Sequence, residues 1–168
     1  MASYLILDAY NIIRALDRYG ERNTGGFDES REMLINDALK AAGWTGRVII
    51  VVFDAHRSPE PRRDESRAGG AVRVIYSGAE ESADDVIERL LGTLDGAATV
   101  YTADFALQRT ALARGSTRAT PSEFQELLDE LPLLMSSPSK PRRVRVGDYL
   151  SSDTLRALEE VRRRAERR

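Results

Sequence analysis

Val48-Ile49-Ile50-Val51-Val52-Phe53 runs without a polar residue between Arg47 and Asp54. A strand with one wet face alternates polar with apolar residues. A continuous β-branched run belongs instead to a strand covered by helices on both sides, in the middle of a parallel sheet. That run confines the chain to an α/β architecture. The flanking segments agree, with strands expected at Ser3–Leu7, Arg47–Phe53, Ala71–Tyr76, Thr99–Thr102 and near Ser116–Ala119. Between them the periodicity predicts a helix from about Asp28, its N-cap, to Ala42. A second has Asp84 and Asp85 in its first turn and Val86, Ile87, Leu90, Leu91 and Leu94 along one face. A third opens at Asp104 and bears Phe105, Leu107 and Leu112, and a fourth runs from Pro121 to Leu131. Such alternation predicts right-handed βαβ crossovers and a three-layer α/β/α sandwich around a mainly parallel sheet. Gly20–Gly26 and the polar stretch from Arg57 to Gly70 read as loops.

Three of the apolar runs end in an aspartate: Leu5-Ile6-Leu7-Asp8, Val48 through Asp54, and Val100-Tyr101-Thr102-Ala103-Asp104. Parallel strands bring their carboxyl ends to one edge, where open α/β sheets bind ligands. Taken singly, an aspartate at a strand end or helix start is an ordinary cap, which is the better reading of Asp85. Asp8, Asp54 and Asp104 together, with Asp84 on a nearby helix start, repel one another unless a cation lies among them.

Composition narrows the chemistry. The chain has no cysteine and a single histidine, His56, so thiolate catalysis, structural disulfides, cysteine-ligated zinc, histidine-rich zinc and a serine-histidine-aspartate triad are set aside. Oxygen ligands alone select a hard cation, Mg²⁺ or Mn²⁺, and the matching reaction is phosphodiester hydrolysis. With 25 basic and 27 acidic residues, nucleic-acid binding must come from local patches. Arg57, Arg62, Arg63 and Arg67, following Asp54, are the expected phosphate contacts. His56 reads as a structural hydrogen-bonder or phosphate contact rather than a general acid. Tyr10 and Trp44 could stack on bases, but Tyr10 is expected instead to pack under the first loop and Trp44 at the edge of the core.

Rival strand-end aspartate chemistries fit poorly. A receiver domain needs a lysine at a later strand end, but Lys40 falls in a helix and Lys140 in the linker. A haloacid-dehalogenase-type phosphatase needs an aspartate two residues after its nucleophile, where this chain has Tyr10 or His56. No glycine-rich phosphate loop follows the first strand.

Leu7-Asp8-Ala9-Tyr10-Asn11-Ile12-Ile13 resembles the DxYN(I/L)I opening of the YacP-type NYN domains, which belong to the PIN-like nucleases. Val52-Phe53-Asp54-Ala55-His56, Glu81-Ser82-Ala83-Asp84-Asp85 and Thr102-Ala103-Asp104-Phe105 are similar to the family's later blocks, in order. The resemblance spans about residues 3 to 131. It implies a PIN-like (NYN) fold and a metal-dependent endoribonuclease acting on single-stranded RNA, with relatives linked to mRNA cleavage during translation. It also implies that Asp8, Asp84 and Asp104 bind metal, that Asn11 positions the first carboxylate or the substrate, and that Asp54 is a further acidic group at the rim or behind the ligands. The family commonly carries Gly where this chain has Ala9, and Ser or Thr where it has Ala103. The alternative is a non-catalytic RNA- or ribosome-binding module that retains the fold.

The reading divides the chain into a nuclease domain, 1–135, and a tail, 136–168. Ser136-Ser137-Pro138-Ser139-Lys140-Pro141 reads as a linker, followed by a charged helix capped at Ser152-Asp153-Thr154. The start, Met1-Ala2-Ser3 followed by a short apolar run, is neither a secretory segment nor a membrane span, so a cytoplasmic protein is expected.

Overall fold

A computed structural model describes residues 2–20, 26–55 and 62–136, with side chains described through Leu131. His56, Arg57 and nearly all of the expected tail lie outside the described residues. The elements belong to the compact unit Met1–Leu134, with the last helix running on to Ser136.

In chain order they are β1 (Ala2–Asp8), α1 (Ala9–Ala15), α2 (Phe27–Thr45), β2 (Val48–Phe53), β3 (Arg63–Arg67), β4 (Val72–Tyr76), α3 (Ala83–Thr93), β5 (Gly96–Tyr101), α4 (Phe105–Ala113), β6 (Thr117–Ala119) and α5 (Pro121–Ser136). The six strands form one sheet, ordered β3-β4-β2-β1-β5-β6. Every pairing is parallel except β3 with β4.

The interior strands bury both faces, as their apolar runs require. Leu5, Leu7, Ile49, Val51, Phe53, Val72 and Val74 pack on one side with residues of α1, α2 and α5. Ile6, Ile50, Val52, Ile75 and Val100 pack on the other with α3 and α4. This is the expected three-layer sandwich. β1 lies between β2 and β5, and the chain builds outward on the β2 side before returning across the sheet to β5. The reversal leaves a crevice between the carboxyl ends of β1 and β5, the position where doubly wound sheets bind ligands.

Several elements differ from the sequence reading. α1 has no counterpart in it, because seven residues containing adjacent Ile12 and Ile13 offer no helical period; the helix forms because Asp8 caps it and both isoleucines are buried. α2 begins at Phe27 behind Gly26, which places Asp28 inside the first turn and not at the cap. The stretch read as a polar loop contains β3, whose charged residues pair with β4 while blunting an exposed sheet edge. α5 continues through Pro132 instead of ending at Leu131. In α4, Phe105 is 72% exposed and Leu112 is also exposed; Leu107, Gln108 and Ala111 form the buried stripe. Trp44 is 44% exposed, in the last turn of α2, not at the core edge.

Two glycines are required by the backbone. Gly46 closes α2 in the left-handed conformation, its N–H donating to Ala42 O at 3.0 Å. Gly96 opens β5 at φ +151°, so close to β1 that a Cβ there would stand 2.2 Å from Ala2 O. Among the described residues no helix is long and apolar enough to cross a membrane.

Candidate functional site

Asp8 ends β1 and caps α1, and its side chain is 2% exposed. A buried carboxylate needs donors. Asn11 Nδ2 donates to its Oδ2 at 2.6 Å and Thr102 Oγ1 donates to the same atom at 2.8 Å. Burial pushes the Asp8 carboxyl above its ordinary range, the bonds from Thr102 and Asn11 oppose this, and the charge of Asp104 adds to the rise.

Thr102, fully buried just past β5, links two of these aspartates. Its hydroxyl donates to Asp8 and accepts from Asp104 N at 3.0 Å. Gln108 Nε2 holds the Thr102 carbonyl at 2.8 Å, and Gln108 Oε1 accepts from Arg118. Asp104 caps α4, its Oδ1 accepting from Ala106 N at 2.7 Å and Leu107 N at 3.0 Å.

Asp84 sits in the first turn of α3. The capping work there is done by its neighbours: Ser82 Oγ accepts from Asp85 N, and Asp85 Oδ2 accepts from Ser82 N at 3.0 Å. Those bonds hold Asp85 below its ordinary value, which matches its reading as a cap. Asp84 takes no part in the cap. Its carboxyl is pushed up to about 6, first by partial desolvation and then by the charges of Asp8, Asp104, Asp85 and Asp54.

Asp54 stands beyond β2 on the same edge. Ser77 Oγ, fully buried after β4, donates to Asp54 Oδ1 at 3.3 Å and accepts from Ala55 N at 2.9 Å. The expected carboxylates thus collect at one edge and interact electrostatically. Among the described residues, however, no three ligating side chains are drawn together tightly enough to cage an ion as they stand. The donor chemistry still suits a hard divalent cation: carboxylate oxygens only, in mutual repulsion, with Asp84 committed to no cap.

The arginines behave differently. Arg62 precedes β3, and Arg63 lies opposite Tyr76 at the carboxyl edge with its guanidinium 4.6 Å from the ring centre. Arg67 pairs with Glu65 and lies opposite Val72, at the other end of the strand pair. The structure therefore brings Arg63 toward the acidic edge and carries Arg67 away from it.

Sequence reasoning missed Thr102 and Ser77. The available signal is positional: each is the hydroxyl residue immediately after an apolar strand that ends in tyrosine. It also missed a row of rings and guanidinium groups on the α1/α2 side. Tyr10 does not lie under the first loop; it is 41% exposed and meets Phe27 edge-on at 6.0 Å. Arg31 reaches over Phe27 at 4.6 Å and toward the stacked pair Phe53 and Tyr76.

A mainly parallel α/β/α domain with carboxylates gathered at its topological switch point fits the PIN-like nuclease class. The YacP-like NYN domain model matches residues 5–163, and the chain belongs to that family. It is 33% identical over 125 residues to the uncharacterized protein YacP of Bacillus subtilis (strain 168), an alignment covering 71% of each chain. It is also similar to the crystal structure of Rae1 (YacP) from Bacillus subtilis, with 28% identity and a TM-score of 0.66 over 95% of this chain and 94% of that one. A tryptophan-to-leucine mutant of that protein gives the same TM-score over 80% of this chain and 79% of its own. Family membership gives the chain a nuclease-type, RNA-related role.

Proposed function

We propose that the protein is a metal-dependent endoribonuclease that hydrolyses phosphodiester bonds of single-stranded RNA, with mRNA in a translation-linked setting as its substrate and the ribosome as a partner. The observation that carries this reading is the acidic edge, where Asp8, Asp84, Asp104 and Asp54 gather and the Asp84 carboxyl is pushed up to about 6, first by partial desolvation and then by its carboxylate neighbours. Such repulsion stabilises nothing in the isolated protein and favours a bound cation. Asp8, Asp84 and Asp104 would hold Mg²⁺ or Mn²⁺, which supplies Lewis acidity and makes water a nucleophile near neutral pH.

The chain's own residues prepare that site. Asn11 and Thr102 fix the Asp8 carboxylate from two sides, so its orientation does not have to be found when substrate arrives. Thr102 also ties Asp104 to Asp8, and the backbone N–H groups at the start of α4 restrain the Asp104 carboxylate. Asp54, steadied by Ser77, adds negative charge at the rim. Arg62 and Arg63, with His56 and Arg57, are assigned to the RNA backbone, whereas Arg67, paired with Glu65 at the far end of β3, is left out of that role. The cytoplasm is the compartment in which this substrate occurs.

The decisive variants are Asp8→Asn and Asp104→Asn. Asparagine is a good helix cap, so both should fold, and both should abolish cleavage of single-stranded RNA in Mn²⁺. Undiminished cleavage by both variants would overturn the assignment.

A further inference from the structure

The geometry points to a base-stacking platform for single-stranded RNA beside the acidic edge, formed by Tyr10 and Phe27 and flanked by Arg14 and Arg31; this rests on the ribonuclease reading above. Rings and guanidinium groups alternate across this side of the molecule. Arg14 lies 4.8 Å from the Tyr10 ring centre, Tyr10 meets Phe27 at 6.0 Å, and Arg31 lies 4.6 Å from Phe27. Arg31 then reaches Tyr76 at 6.0 Å, and Arg63 covers Tyr76 at 4.6 Å. The row draws on α1, α2, β4 and β3, segments far apart in sequence.

Packing alone does not account for it. Rings that serve only the core are buried, as Phe53 and Tyr19 are, whereas Tyr10 and Phe27 leave 41% and 42% of their surface in water. Among the described residues Arg14 makes no ion pair, although the chain has 27 acidic residues; its contact is the face of Tyr10. Burying one edge of a ring while leaving the rest wet suits a flat apolar ligand bordered by negative charge. Single-stranded RNA offers both, since every base has a stackable face and every nucleotide a phosphate.

Position adds to the argument. Tyr10 lies between Asp8 and Asn11 in sequence, within the first turn of α1, so the ring is carried by the same helix start that Asp8 caps. Carboxylates repel the RNA backbone, and Arg14 supplies compensating charge beside the rings, with Arg63 further along the row and Arg31 already paired with Asp28 at 3.2 Å. A duplex keeps its bases stacked on one another and cannot use exposed rings, so the platform selects unpaired RNA.

The test uses the full chain carrying Asp104→Asn, titrated with a short single-stranded RNA containing 2-aminopurine, whose fluorescence is quenched by stacking. Tyr10→Leu and Phe27→Leu should each weaken binding roughly tenfold and relieve the quench. Tyr10→Trp and Phe27→Trp should retain both, and Arg14→Gln should lower the salt slope by about one. Leucine variants that bind and quench like the parent would overturn the platform, as would tryptophan variants that lose binding as fully as the leucine ones. Absence of RNA binding by the parent up to about 0.1 mM, the weak end of non-specific affinity, would also overturn it and leave the surface to a protein partner. The metal-dependent nuclease reading fails separately, by cleavage undiminished in both Asp8→Asn and Asp104→Asn.

Discussion

Replacing Asp84 by asparagine should stabilise the protein when no divalent cation is present. In the folded state the Asp84 carboxyl is raised from 3.8 to about 6 by desolvation and by four neighbouring carboxylates. The folded protein therefore binds this proton more tightly than the unfolded chain does. The favourable contribution is complete below about pH 4 and is lost as pH rises to and through about 6. At neutral pH the ionised group opposes folding. Taken at about 1.4 kcal/mol per unit, the shift corresponds to about 3 kcal/mol; because Asp84 is exposed, solvent screening reduces this to on the order of 1 kcal/mol. The expected rise in Tm is about 2–5 °C at neutral pH in chelator, shrinking to nothing near pH 4. Saturating Mn²⁺ should reverse the order, since a hundredfold excess over Kd stabilises the wild type by about 2.7 kcal/mol and the variant lacks a ligand. Thermal unfolding of both proteins at the two pH values, with and without Mn²⁺, reads all of this. An Asp84→Asn protein no more stable than wild type in chelator at neutral pH would refute the electrostatic argument.

Thr102→Val keeps the shape of a buried side chain but removes the hydroxyl between Asp8 and Asp104; it should cost about 2 kcal/mol in urea unfolding and reduce cleavage, and Thr102→Ser should restore both. Gly96→Ala should lower stability by at least about 3 kcal/mol, measured the same way, because the methyl group would overlap Ala2 O at a backbone angle that L residues rarely adopt.

Much of the fold is legible in local pattern. The unbroken Val48–Phe53 run requires a doubly covered strand, and β2 is one, flanked by β1 and β4. Asp8 and Asp104 are visible because each ends an apolar run, and both prove to be helix caps at the crevice between β1 and β5. Asp85 is legible as a cap from the serine three residues before it. α1 and β3 are not, since seven residues are too few for a helical period and Arg63–Arg67 has no apolar face to alternate. Arg62, Arg63 and Arg67 look equivalent in sequence, but strand pairing puts Arg63 opposite Tyr76 and Arg67 opposite Val72.

The sequence by itself determined most of the elements, α1 and β3 excepted, and the common polarity of the strands other than β3, because burial on one or two faces is written in the spacing of apolar residues along a single segment. It also determined that several carboxylates must share an edge, because parallel strands end on the same side. Only the tertiary structure decided which groups meet across that edge: that Thr102 joins Asp8 to Asp104, and that Arg14, Tyr10, Phe27 and Arg31 form one row. Those contacts depend on strand order and on where each crossover lands, which couple residues as far apart as Asp8 and Thr102, and no local periodicity encodes a pairing over that separation.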